Sequence, residues 1–113
     1  MGRLDNKIAI ITGGGSGQGK AAVRIFAEEG AKVVIAEWNE ATGAETEKTM
    51  KDNGYDTLFI KTDVSSEESV KEMVRKTVET YGTVDILFNN AGISGAFYRR
   101  MAQNGRYCRY AFE

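Results

Sequence analysis

Short apolar runs alternate with longer amphipathic ones along most of this chain. Residues 7–12 (KIAIIT), 32–37 (KVVIAE), 57–62 (TLFIKT) and 83–88 (TVDILF) are brief and rich in β-branched side chains, which predicts four buried strands. Between the first two, residues 19–29 (GKAAVRIFAEE) set Ala22, Ile25, Phe26 and Glu29 at helical spacing. The apolar members of that set make one face, and Gly30 is placed to end the helix. Residues 39–53 (NEATGAETEKTMKDN) read as a polar helix opened by Asn39 and closed by Gly54. Ser65 and Glu68 have capping-box spacing for a third helix, whose inner stripe is Val70, Met73, Val74 and Val78. After Phe88, the run Asn89-Asn90-Ala91-Gly92 breaks the fourth strand.

The rhythm is therefore β-α-β-α-β-α-β, with strands that are apolar almost throughout. Strands of that kind belong in a parallel sheet covered on both faces, here an α/β fold of three layers. Right-handed crossovers and a reversal of direction after the third strand predict the order 3-2-1-4 for about four strands. Two regions follow: a βαβαβαβ domain over residues 1–93 and a tail over 94–113. In the tail lysine disappears and four of the seven arginines gather. A helix over residues 95–104 is one option there, stopped by Gly105, and no further strand of convincing length remains.

Composition narrows the setting. At 113 residues the chain has room for one core, and 42% apolar with 27% charged residues is ordinary for a soluble protein. A net charge of −1 gives no electrostatic case for nucleic acid or an anionic membrane as partner. No apolar run approaches the length of a membrane-spanning helix, and the first residues lack a basic-then-apolar leader pattern. Cys108 is alone, which suggests a reducing compartment and a cytoplasmic protein. There is no histidine, so the commonest general base and the commonest metal ligand are both missing, and no metal site is expected.

The richest chemistry lies in Ile11-Thr12-Gly13-Gly14-Gly15-Ser16-Gly17-Gln18-Gly19-Lys20-Ala21, where the first strand meets the first helix. Gly14, Gly19 and Lys20 match a triphosphate-binding loop up to its last position. That position needs a hydroxyl to ligate Mg²⁺ and here is Ala21. The standard Gly-x-Gly-x-x-Gly spacing fails in register as well. The variant Thr12-Gly13-x-x-x-Gly17-x-Gly19 does fit. Gly13 leaves the strand in a tight turn, Gly17 lets a pyrophosphate approach the backbone, and Gly19 lets the helix pack close to the sheet. The free N–H groups of that helix then face the phosphates.

With TGGGSGQG, Glu37 at the end of the second strand, Asp63-Val64, and Asn89-Asn90-Ala91-Gly92 in this order, residues 3–93 resemble the short-chain dehydrogenase/reductase family. The resemblance implies a truncated Rossmann-like fold and NAD as cofactor. The implied cofactor-binding residues are Gly13, Gly15, Ser16, Gly17, Gln18 and Gly19 in the loop, with Glu37, Trp38, Asp63, Val64, Asn90, Ala91 and Gly92 beyond it. Glu37 lies where an acid accepts the adenosine ribose hydroxyls and repels a 2′-phosphate. Its neighbour Trp38 offers no cation to hold one, so NAD is favoured over NADP, although Lys20 argues modestly the other way. Trp38 reads otherwise as a packing or surface side chain. Asp63 is the counterpart of an Asp that bonds the adenine amino group, with Val64 giving a backbone contact. Asn90, Ala91 and Gly92 match a segment that lies along the cofactor ribose.

The chain departs from the family where the chemistry is done. That family uses a Ser, a Tyr and a Lys, the last two as Tyr-x-x-x-Lys, and no tyrosine here has a lysine at that spacing. No catalytic residue is assigned, and the chain is expected to be inactive alone. A cut fragment, a truncated gene or a frameshifted tail would each account for this, and the lysine-free, arginine-rich tail favours the last. Three other roles compete: an oxidoreductase completed by a partner chain, a structural or interaction module without cofactor, and the discounted triphosphatase. A fourth strand at the margin of the sheet would carry unpaired backbone groups. The tail is expected to cover it, or two chains to pair there as a homo-oligomer, or the protein to aggregate.

Overall fold

The structure is a computed structural model that describes residues 2–15 and 17–88 in full and residues 89 and 110–112 as backbone. Four strands and three helices alternate: β1 (Ile8–Thr12), α1 (Gly17–Glu28), β2 (Lys32–Glu37), α2 (Glu40–Asp52), β3 (Thr57–Lys61), α3 (Glu67–Tyr81) and β4 (Ile86–Asn89). A short β5 (Tyr110–Phe112) follows. The sheet is parallel throughout, in the order β3-β2-β1-β4-β5. The 3-2-1-4 order expected from the crossovers is present, and β5 extends it beside β4.

Alternation along each strand divides the core into two halves. Ile10, Val34, Ala36, Ile60 and Leu87 face α3, where Val70, Met73 and Val74 meet them. Ala9, Ile11, Val33, Ile35 and Ile86 face the other way, toward Ala22, Val23 and Ala27 of α1 and Met50 of α2. Phe26 of α1 meets Phe88 of β4 edge to face, with ring centroids 5.9 Å apart. Burial on both faces explains why the strands read as continuous apolar runs.

The ends of the elements refine the sequence reading. Helix α1 begins at Gly17, earlier than the expected residue 19, because the glycine turn winds directly into it. Asn39 caps α2, its side chain accepting from the N–H groups of Ala41 and Thr42. Helix α3 is capped by Ser66 and not by Ser65. The Ser66 hydroxyl accepts from the Ser69 N–H at 3.2 Å, while Ser65 turns back to Asp63. Strand β4 starts at Ile86, later than expected, and Asp85 ties its approach to β1. The Asp85 N–H donates to the Ile8 carbonyl at 2.8 Å, and its carboxylate accepts from the Ile8 N–H at 2.9 Å.

The expectation of no strand in the tail is corrected by β5, whose residues 110–112 pair with residues 86–88 of β4. Three residues are too few to show a periodic pattern, so a strand made by tertiary pairing leaves no signature of its own. Along that stretch β4 is paired on both sides within one chain. The optional helix over residues 95–104 lies outside the described residues.

Candidate functional site: the glycine turn and the carboxyl ends of the strands

Strands β1 and β4 are neighbours, but the chain leaves β1 toward β2 and reaches β4 only after β3. This reversal puts the topological switch point at the carboxyl ends of β1 and β4, the place where doubly wound sheets bind ligands. The glycine turn sits there. Gly13 has φ 68° and donates its N–H to the Ala36 carbonyl at 2.7 Å, so it continues the β1–β2 pairing while turning the chain. Gly17 has φ 55°, and a Cβ added to it would meet nothing within 4 Å. The turn is thus open on the side where α1 begins. Helix α1 has no acidic residue in its first turn, whereas α2 opens with Glu40 and α3 with Glu67 and Glu68. The positive end of the α1 dipole is left uncompensated by its own first turn, which suits an anion.

Gly15 is fixed on both sides. Its N–H donates to Glu37 Oε1 at 3.2 Å, and its carbonyl accepts from the buried Thr46 hydroxyl at 3.4 Å. The second Glu37 oxygen accepts from the Asn39 N–H at 3.0 Å. One carboxylate therefore joins the glycine turn to the start of α2. A Cβ on Gly15 would come within 2.7 Å of Glu37 Cγ and 2.8 Å of Thr42 Oγ1, so only glycine leaves this corner free. Both Glu37 oxygens thus accept backbone N–H groups, one from the glycine turn and one from the cap of α2.

Across the sheet, the Thr62 N–H donates to the Glu37 carbonyl at 3.0 Å, which brings the end of β3 alongside. Asp63 follows. Its Oδ1 accepts from both the hydroxyl and the N–H of Ser65, at 2.6 and 3.0 Å, and its own N–H donates to Ser69 Oγ. These bonds, the Ser65 hydroxyl first and its N–H second, hold the Asp63 carboxyl below its ordinary pKa. Val64 is half-buried against the α3 side of the core. Gly19 is buried in the first turn of α1, and Gln18 lies beside it on the exposed side. Trp38 is 62% exposed next to Glu37. Ser16, Asn90, Ala91 and Gly92 lie outside the described residues, although Asn89 before them is the cross-strand partner of Thr12.

The structure thus brings the glycine turn, Glu37, Trp38 and the approach to Asp63 to one end of the sheet. It also places there Thr46 and Lys61, which the sequence did not single out, and gives Asn39, expected only as a helix cap, a backbone bond to Glu37. Lys61 is the Cα partner of Glu37 in the β2–β3 register, and its Nζ lies 4.7 Å from the centroid of the Trp38 ring. Aligning KVVIAE against TLFIK would have found that pair. Among the described residues, no group of three or more His, Cys, Asp or Glu is placed to hold a metal ion, and no helix is long and apolar enough to cross a membrane.

A parallel sheet in this order, with a glycine turn at the reversal point, defines the chain as a Rossmann-like α/β protein of the dinucleotide-binding kind. The family model for short chain dehydrogenases matches residues 7–108, and the chain belongs to that family. The match runs past residue 93 to Cys108, so family resemblance reaches further into the tail than the motifs alone carry it. An uncharacterized oxidoreductase of Thermotoga maritima is 56% identical over 90 residues, which are 80% of this chain and 35% of that protein. The crystal structure of a Burkholderia phymatum short chain dehydrogenase/reductase in complex with NAD superposes with a TM-score of 0.75 at 36% identity, covering 78% of this chain and 31% of that one. A 7α-hydroxysteroid dehydrogenase complexed with NADH and 7-oxo glycochenodeoxycholic acid gives 0.78 at 35% identity, covering 87% and 42%. The chain spans about a third of the length of the curated relatives it matches.

Proposed function

We propose that this chain is an NAD(H)-binding unit of a short-chain oxidoreductase, that it prefers NAD over NADP, and that the 113-residue chain alone does not turn over substrate. The observation that carries the proposal is the Glu37 carboxylate, held against the Gly15 N–H at the mouth of the glycine turn. In this reading the turn and the α1 N-terminus take the diphosphate. Glu37 accepts the ribose hydroxyls, and its charge opposes a 2′-phosphate. Asp63 keeps Oδ2 for the adenine amino group while Ser65 occupies Oδ1, and Asn90, Ala91 and Gly92 match the family segment that runs along the cofactor ribose. Two relatives of known structure hold NAD or NADH, which supports the choice of cofactor.

Bound nicotinamide would supply or accept a hydride, and a carbonyl substrate would then need a proton donor with an effective pKa near neutrality. Tyr81 is not suited to that role. Burial, and then donation of its hydroxyl to Asp56 at 2.8 Å, push its phenol upward from the ordinary value. Together with the absence of Tyr-x-x-x-Lys from the sequence, this supports binding without turnover.

The test is calorimetric titration of the 113-residue chain with NAD⁺ and NADP⁺, beside Glu37→Ala, with circular dichroism to verify folding. Saturable NAD⁺ binding, weaker NADP⁺ binding and a loss of NAD⁺ affinity of about tenfold in the variant are expected. No binding of either dinucleotide by a folded chain would leave the fold as a structural or interaction module. Hydride transfer by the chain alone would overturn the inactive reading.

A further inference from the structure

Lys61 puts a cation where the residues following Glu37 in sequence provide none. It ends β3 directly across from Glu37, and its ammonium is held over the Trp38 ring at 4.7 Å. Its ion-pair partner is Glu40, 3.7 Å away, and the two side chains are 46% and 70% exposed. A long, exposed pair of this kind is weak and gives way readily to a stronger anion. The Trp38 face meanwhile limits the directions the long lysine stem can take. The corner therefore holds two opposed charges: the Glu37 carboxylate, tied by two backbone N–H groups, and the more loosely held Lys61 ammonium.

We propose that Lys61 is a cofactor-specificity residue of this site, the cation that receives a 2′-phosphate once the charge of Glu37 is removed. The proposal rests on the reading of the glycine turn as a dinucleotide site. In the native chain Glu37 accepts the ribose hydroxyls and Lys61 is a bystander to NAD. Without that carboxylate, a phosphate on the same ribose lies beside Lys61 and Trp38, and the ammonium, a compact point charge, is attracted to it. Discrimination between the two dinucleotides is then a balance between residues on adjacent strands, and the nearest neighbour of Glu37 in sequence does not decide it.

The experiment is a double-mutant cycle read by binding of NADP⁺ and NAD⁺ to the 113-residue chain at two ionic strengths. Glu37→Ser should gain about tenfold in NADP⁺ affinity, and Glu37→Ser/Lys61→Ala should lose that gain. Glu37→Ser/Lys61→Arg should retain it. The NADP⁺ affinity of Glu37→Ser should fall with added salt more steeply than that of the double variant with alanine. Equal NADP⁺ affinity in Glu37→Ser with and without Lys61, in chains that still bind NAD⁺, would overturn the role of Lys61 and leave the dinucleotide site standing. Failure of the folded native chain to bind NAD⁺ would overturn both.

Discussion

Gly43 shows how one residue can invert a general rule. It lies within α2, where replacing glycine by alanine ordinarily stabilises a helix by about 1 kcal/mol. Here the added Cβ would overlap the ring of Phe59, which packs against the α1 and α2 side of the core. Overpacking of this kind costs about 1–3 kcal/mol, so the clash outweighs the propensity gain. Gly43→Ala should therefore lower stability by about 1 kcal/mol in urea unfolding, and adding Phe59→Leu should restore most of the loss. A stabilised single variant would show that the ring moves aside at no cost. Neither Gly43 nor Asp85 stood out in the sequence, for a shared reason. The partner that gives each its meaning is distant along the chain: Phe59 for the glycine, Ile8 for the aspartate. Asp85 is 7% exposed, and its carboxyl oxygen would be a buried polar atom without a partner if it did not accept the Ile8 N–H. The place of Glu37 beside the glycine turn was legible because it depends on distance along the chain from the glycines, which the sequence displays directly.

At the scale of the element, the start of α3 separates two adjacent serines. Ser66→Ala removes the cap on the Ser69 N–H and should cost about 1 kcal/mol, a fall in Tm of about 4 °C. Ser65→Ala leaves that cap in place and instead loosens the turn at Asp63. The two variants should differ in their dependence on acid. The Asp63 carboxyl is held below its ordinary pKa in the folded chain, so its contribution is complete above the ordinary value and is lost as the pH falls through the lower folded one. Ser65→Ala should flatten stability against pH in that acid range, and Ser66→Ala should lower the whole curve without changing its slope. Thermal unfolding from pH 2 to 7 reads both, and the reverse assignment would restore Ser65 as the cap. Capping-box spacing alone favoured Ser65, because Glu68 stands three places on. The competing pull was Asp63, two residues before Ser65, whose side chain takes the Ser65 hydroxyl into a turn of its own. Strand β2 posed no such conflict: its apolar run and the observed pairing coincide, since burial on both faces leaves few alternatives.

At the scale of the whole molecule, the sheet has two edges, protected in different ways. Strand β3 bonds β2 through alternate residues, as the Asp56 carbonyl and Thr62 N–H show, and so the Phe59 N–H points outward. The Glu47 carboxylate covers it at 2.6 Å and is itself paired with Lys51 at 3.7 Å. An edge amide occupied by a charged side chain offers no template for another strand. On the opposite side, β5 covers β4 with only three residue pairs. Pairing this short has little stability of its own, and an apolar strand lies beneath it. Two variants should consequently behave differently. Glu47→Ala should speed amide exchange at Phe59 and leave residues 86–88 unchanged. Omitting residues 110–113 should speed exchange at residues 86–88 and produce concentration-dependent association in sedimentation, because the uncovered amides of β4 would then pair with a second chain. If the shortened chain stays monomeric and its β4 amides keep their protection, β5 is not what guards that edge. If the native chain already associates through this side, the three pairs of β5 are too weak to exclude a neighbour, and the same sedimentation series distinguishes the two outcomes by whether removal of residues 110–113 strengthens the association.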